Sequence, residues 1–269
     1  MSSHPEASER AFAVRFQDQS VVERYHLRPD YPAELFAFLR DLIVDEPRVL
    51  LDVGCGLGNI SRSMLDYVER IDAVDLSAQM LERARTLPHG DSAKIHWLQG
   101  KAEEVELTPP YALITAGRSM HWFDWDVILP RFAQLLTPNG MLAMVQAGER
   151  NSPWRAVLRE ITERYSANSR TWHQNMAGIL QERHLFQREG QRETAPVEQQ
   201  QTLADYIEGL HSRSGLSLDI LGPEATKHFD AEVHELLTPY AQNGVVTVSI
   251  SATLVWGKPL AGQNSTETH

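Results

Sequence analysis

An acid, Asp52, closes an apolar run and is followed by glycines at alternate positions, Gly54, Gly56 and Gly58, in the stretch RVLLDVGCGLGN at 48–59. Glycines so spaced allow a tight turn and leave no Cβ between the backbone and a bound group. A helix over 59–67 would aim its free N–H groups at whatever occupies that turn. About 20 residues on, a second apolar run ends in Asp75, where a carboxylate can accept both hydroxyls of a ribose. A third cluster, GRSMHWFDWD at 117–126, brings Arg118, His121 and Trp122 to the end of another apolar run. Together these residue types suit the holding of a nucleoside-bearing ligand beside an aromatic, partly basic pocket.

The elements that must position them follow from periodicity. Val49, Leu50, Leu51 and Val53 are β-formers without polar alternation, the pattern of a strand buried on both faces of a parallel sheet. Further strands are expected over 71–74, 95–98, 112–116, 141–145, 194–200 and 245–256, with helices between most of them. Ser77 caps the helix over 78–86, in which Met80 and Leu81 face inward. Before the glycine turn, apolar residues recur at helical spacing, interrupted by RPDYP at 28–32. Tyr25, Arg28 and Tyr31 cluster at this break, either as a packed corner or as a lid touching the ligand.

The glycine spacing separates two families. Dinucleotide-binding proteins place G-x-G-x-x-G after their first strand; here the run is G-x-G-x-G, Asn59 stands at the third-glycine position, and Asp52 precedes the turn. This resembles the first motif of class I S-adenosylmethionine (SAM) methyltransferases, a nucleotide-dependent dehydrogenase being the structural rival. With G-x-A-E after the third strand and H-W-F-D after the fourth, the chain resembles the small-molecule branch that includes trans-aconitate methyltransferases. TLADYIEGLHSRSGLS and NGVVTVSISATLVWGKP extend that likeness over nearly the whole chain. It implies an α/β, Rossmann-like seven-stranded sheet of order 3-2-1-4-5-7-6 with a helical lid. It also implies SAM as cofactor, held by Asp52, Gly54, Cys55, Gly56, Tyr31, Asp75, Leu76, Met80, Ala102, Glu103 and Ala116. Lys101 stands where many relatives carry an acid, so no side-chain bond from it to the adenine is expected.

On this reading residues 1–46 form an N-terminal helical cap, 47–148 the SAM-binding core, 149–190 a helical insertion over the pocket, 191–259 the completion of the sheet, and 260–269 a disordered tail. Trp122, Arg118, Trp172 and His173 are the expected substrate contacts. His121 and Tyr25 are the candidate catalytic groups, and His121 serves equally well as a residue that shapes the pocket. TPPY at 108–111 precedes its strand and so lies far from the reaction. His234-Glu235 is no metalloprotease motif, because Thr238 occupies the position of the second histidine. A non-catalytic SAM- or nucleotide-binding regulator is the reading most different in class.

Composition bounds the partners. The chain has 269 residues, one cysteine and a net charge of −11. That charge argues against broad capture of nucleic acid. One cysteine permits neither an intrachain disulfide nor a multi-cysteine zinc cluster, and no metal is expected. No apolar run reaches the length of a membrane span, and the start, MSSHPEASER, lacks signal-peptide features. A cytoplasmic protein with a small-molecule substrate is expected.

Overall fold

The computed structural model describes residues 19–166 and 175–261. Five parallel strands form its centre: β1 (Val49–Val53), β2 (Arg70–Asp75), β3 (Ile95–Gln99), β4 (Tyr111–Gly117) and β5 (Leu136–Arg150). Three more, β6 (Phe186–Glu193), β7 (Val197–Thr202) and β8 (Val245–Pro259), complete an eight-stranded sheet of order β3-β2-β1-β4-β5-β8-β6, with β7 also on β8. The last strand enters antiparallel between β5 and β6. This is the order expected from the resemblance, with the penultimate strand in two pieces.

Two apolar layers cover the sheet. Every residue of β1 is buried. Val49, Leu51 and Val53 pack with Ile128, Leu129 and Phe132 of α5 (Trp125–Leu135) on one face. Leu50 packs on the other with Leu35 and Leu39 of α2 (Glu34–Asp41) and Ile60 of α3 (Asn59–Ser63). Burial of each such aliphatic side chain contributes roughly 1.5–3 kcal/mol. The remaining early helices are α1 (Gln19–Arg24) and α4 (Ala78–Arg85).

The C-terminal half departs from expectation in two places. The strand expected over 194–200 is found as β7, starting at Val197, and a further edge strand, β6, precedes it; the two pair with opposite halves of β8, and Thr194 between them is tied to β8 by the Ala252 N–H donating to its Oγ1 at 3.0 Å. Both pieces are mostly exposed and polar, so no apolar alternation marks them.

The 149–190 segment is also divided. Its helix α7 (Met176–Glu182) places Met176 and Leu180 against the α5 face of the sheet, and β6 begins at Phe186. Among the described residues of this segment, helix α6 (Arg155–Tyr165) alone joins a separate cap, packing Trp154, Leu158 and Ile161 against α8 (Leu203–Leu210) and α9 (Leu218–Leu237). Most of the cap thus comes from the 191–259 segment, expected only to complete the sheet. An apolar stripe shows that a helix face is covered, not what covers it. Trp172 and His173 lie outside the described residues.

Candidate active site

A cavity of about 770 Å³ opens at the carboxyl ends of the parallel strands, under the cap. Its floor is the glycine turn. Gly54, Gly56 and Gly58 all have positive φ, between +55° and +70°. The Cys55 N–H donates to the Val74 carbonyl, tying the turn to β2.

Asp75 lies at the end of β2. Its Oδ2 accepts the Gly56 N–H and its Oδ1 the Ser77 N–H, both at 2.8 Å. Burial raises its pKa, against the opposing backbone bonds from Ser77, Gly56 and Leu76. The carboxylate is therefore fixed in place and faces the cavity, with lone pairs left for a ligand's hydroxyls.

Of the expected cofactor residues, Gly54, Gly56, Asp75, Leu76, Met80, Ala102 and Glu103 all line the cavity. Asp52, Cys55, Tyr31 and Ala116 stand behind its wall. Asp52 accepts the Ser61 hydroxyl at 2.6 Å and the Thr115 hydroxyl at 2.9 Å, and burial pushes its pKa up to about 6. It braces β1, β4 and α3 beneath the turn. Burial likewise raises the Cys55 thiol, which keeps it protonated and inert. The Tyr31 hydroxyl lies 3.0 Å from where a Cβ on Gly117 would sit, and burial raises this phenol to about 12. Ala116 is buried within the sheet.

Glu103 has a second duty. Its Oε1 accepts the Asp124 N–H at 3.0 Å, so its negative charge sits at the N-terminus of α5. Lys101 pairs with Glu104 at the surface. After β4 the chain turns sharply: Arg118 has φ +54°, Ser119 donates to the Val53 carbonyl at 2.6 Å, and residues 120–122 make one 3-10 turn. The Trp125 indole N–H donates to the Met120 carbonyl at 2.8 Å and pins that turn. His121 and Trp122 both line the cavity, their rings 4.2 Å apart and tilted by 47°.

The N-terminal break and the cap close the opposite side. Tyr25 leans over Gly56, and Arg28 stacks on the Tyr25 ring at 4.2 Å. Arg118 lies 6.0 Å from the Tyr31 ring centre. Burial lowers its basicity, but the pull of Tyr31 and Tyr25, with a hydrogen bond to Tyr25, more than offsets this. Cap and N-terminal segment are stitched together by Gln201 donating to the Leu27 carbonyl at 2.7 Å and by the Arg24–Glu208 ion pair at 2.5 Å. Among the wall residues that escape the sequence reading are Glu149, Tyr206 and Arg213. Of these three only Glu149 carried a usable signal, an acid just beyond the apolar run of the fifth strand.

Residues 50–140, which hold the glycine turn and both strand-end acids, match a family described as a methyltransferase domain. The chain is 32% identical over 152 residues to a trans-aconitate 2-methyltransferase of Streptomyces coelicolor, covering 55% of this chain and 48% of that protein. It is 30% identical over 173 residues to a malonyl-[acyl-carrier protein] O-methyltransferase of Halalkalibacterium halodurans, covering 58% and 64%. The chain thus spans between about half and just under two thirds of these two relatives. An uncharacterized methyltransferase of Schizosaccharomyces pombe is 27% identical over 85% of this chain and 92% of its own. Among solved structures, a SAM-dependent methyltransferase from Geobacter sulfurreducens, in complex with S-adenosylhomocysteine, matches with TM-score 0.53 and 12% identity over 90% of this chain and 97% of that one. The [4+2]-cyclase SpnF matches with TM-score 0.51 and 17% identity over 85% and 82%, so the fold alone does not name a reaction. Domain match and sheet order agree: residues 50–140 match a methyltransferase domain, and the sheet that carries them has the class I methyltransferase fold.

Proposed function

We propose that the chain transfers a methyl group from SAM to a small-molecule acceptor. The observation that carries this reading is one cavity with two chemically different halves. One half is floored by open backbone at Gly54 and Gly56 and edged by the fixed carboxylate of Asp75; the other is walled by His121, Trp122 and the cap. Its volume lies in the range of ligand pockets, about 300–1,000 Å³.

Bound SAM supplies a methyl already activated on a positively charged sulfonium. The chain's own task is then alignment and exclusion of water. Asp75 would hold the ribose, the backbone N–H of Ala102 the adenine, and the stretch from Gly117 to His121 would border the methyl group. Tyr25, Trp122 and the cap would shut out water. The relatives named for trans-aconitate and malonyl acceptors make a carboxylate oxygen one nucleophile to test, and such an oxygen needs no strong base.

The test is formation of S-adenosylhomocysteine from SAM against a panel of small organic acids, alcohols and amines. Acceptor-dependent turnover is expected. SAM binding without transfer to any acceptor would favour a regulator, and binding of NADH in place of SAM a dehydrogenase. In the same assay His121→Gln is expected to keep most of the turnover, because the ring's packing on Trp122 suits a pocket-shaping part. An inactive Gln variant with normal SAM affinity would instead assign His121 a proton transfer, worth about 10²- to 10⁴-fold in rate.

A further inference from the structure

The stretch HSRSGLS at 211–217, between α8 and α9, is polar in sequence yet His211, Ser212, Ser214 and Ser217 are all buried. Burying polar side chains is unfavourable unless they are hydrogen-bonded, so the bonds they make are the reason to look here. His211 makes two. Its ring is 1% exposed; Nδ1 faces the Leu216 carbonyl and Nε2 faces Oδ1 of Asp230 on α9, each at 2.8 Å. A carbonyl and a carboxylate only accept, so the ring donates at both nitrogens. It also lies against Phe229, ring centres 5.4 Å apart. One side chain thus ties together the end of α8, the far end of the loop and the middle of α9.

Inside that loop is the anchor of Arg28. Arg28 donates from Nε to Ser212 Oγ at 2.8 Å and from Nη2 to the Ser212 carbonyl at 2.6 Å, while Ser212 Oγ donates to the Gly209 carbonyl at 2.6 Å. A guanidinium is a rigid planar fork, so both acceptors must stay in place for it to keep its position. The position matters because Arg28 lies 4.2 Å over the Tyr25 ring, and that ring is 3.6 Å from where a Cβ on Gly56 would sit. Burial lowers Arg28 to about 10, and Tyr25 is the largest influence opposing that. His211 itself stands behind the cavity wall, while Arg28, Tyr25 and Gly56 form part of it. The line of contacts runs from His211 through Ser212 and Arg28 to Tyr25, and ends over the glycine turn.

We propose that His211 is a positioning residue for the cofactor: by fixing Ser212 it anchors Arg28, and Arg28 holds Tyr25 over a ligand lying on Gly56. This rests on the reading of the glycine turn as the SAM site. The end of a helix does not itself call for a buried histidine, since a glycine closes it as well. What the imidazole adds is a pair of donors on opposite sides of a short rigid ring. It can therefore clamp a loop between two fixed acceptors.

Calorimetry with S-adenosylhomocysteine on the full chain, with melting curves recorded alongside, tests this. His211→Ala is expected to weaken binding about tenfold in protein that is folded at the temperature of the titration. Arg28→Ala should weaken it at least as much, and adding His211→Ala to that variant should cost nothing further, because both act through one anchor. Asp230→Asn still offers Nε2 an amide oxygen and should bind as the unaltered chain does, whereas Asp230→Ala should bind more weakly. A His211→Ala protein that melts lower yet binds S-adenosylhomocysteine normally would overturn the proposal, as would losses that add in the double variant. If His211→Ala fails to fold, the two Asp230 variants decide, and equal affinities of the pair would overturn it. An unaltered chain that does not bind S-adenosylhomocysteine would sink the SAM reading and this proposal with it; that result is seen separately, in the first titration.

Discussion

Asp75→Ala is expected to weaken SAM and S-adenosylhomocysteine binding by about 10²- to 10⁴-fold, the loss of two charge-assisted hydrogen bonds of roughly 1.5–3 kcal/mol each. The geometry argues for the upper part of that range. Gly56 and Ser77 N–H groups both donate to this carboxylate at 2.8 Å, so Asp75 also ties the glycine turn to the turn after β2. Its two oxygens are spoken for by backbone on one side only, which preorganises the remaining lone pairs toward the cavity. Asp75→Asn is no gentle substitute, since one backbone N–H would then face an amide N–H₂. The contribution of the ribose contact is isolated by a ligand lacking both ribose hydroxyls. It should bind the unaltered protein as poorly as SAM binds the variant, and the two losses should not add. Additive losses would mean that Asp75 acts only by holding the turn.

How much of this was legible in the sequence differs along the chain, for physical reasons. The first strand and its turn were legible because a strand buried on both faces has no polar positions, and because three positive-φ residues at alternate positions leave glycine as the residue of choice. Asp75 was legible from its place at a strand end. The cap was not. Leu203, Tyr206, Ile207 and Leu210 make an ordinary apolar stripe, and nothing in such a stripe says that its partners are Trp154 and Leu158, some 50 residues earlier in sequence and beyond the sheet edge. The same holds for α7, whose Met176 and Leu180 fit a lid or a sheet cover equally well. β6 escaped because an edge strand with both faces solvated carries glutamines, arginines and glutamates instead of alternation.

The charged wall of the cavity escaped for another reason. Arg28, Arg118, Glu149 and Arg213 lie on four separate stretches of the chain, and no local spacing relates them. Arg28 and Arg118 were singled out beside aromatic residues, but a single arginine is more often a surface residue than a site. What marks the group is three-dimensional: shared cavity surface, mutual repulsion and the unpaired atoms Nε of Arg118 and Oε1 of Glu149. Glu103 shows the converse. Its position after the third strand was legible, yet its carboxylate also caps α5 through the Asp124 N–H. Substituting it would disturb helix packing as well as any ligand.

Gly54→Ala should be far more damaging than Gly56→Ala, although both glycines have nearly the same φ, +62° and +55°. An alanine in the left-handed region costs about 1–2 kcal/mol at either position. The difference is space. A Cβ on Gly54 would lie 2.4 Å from the Ser119 Cβ, and Ser119 cannot withdraw freely because its hydroxyl is bonded to the Val53 carbonyl at 2.6 Å. A Cβ on Gly56 meets nothing closer than the Tyr25 ring at 3.6 Å. Overpacking adds about 1–3 kcal/mol at Gly54 alone, so its melting temperature should fall by about 4–20 °C, at roughly 2–4 °C per kcal/mol for a chain of this size. Gly56→Ala should fall by only about 2–8 °C on the same scale. Because Ser119 leads into the 3-10 turn that carries His121, the first variant should also lose SAM affinity where the second weakens it less. The clash is tested directly by adding Ser119→Gly, which removes the colliding Cβ and should recover part of the lost stability despite the broken bond to Val53. Equal melting of the two alanine variants, with no recovery in the double variant, would assign the whole effect to backbone strain and none to the packing of the turn against the segment after β4.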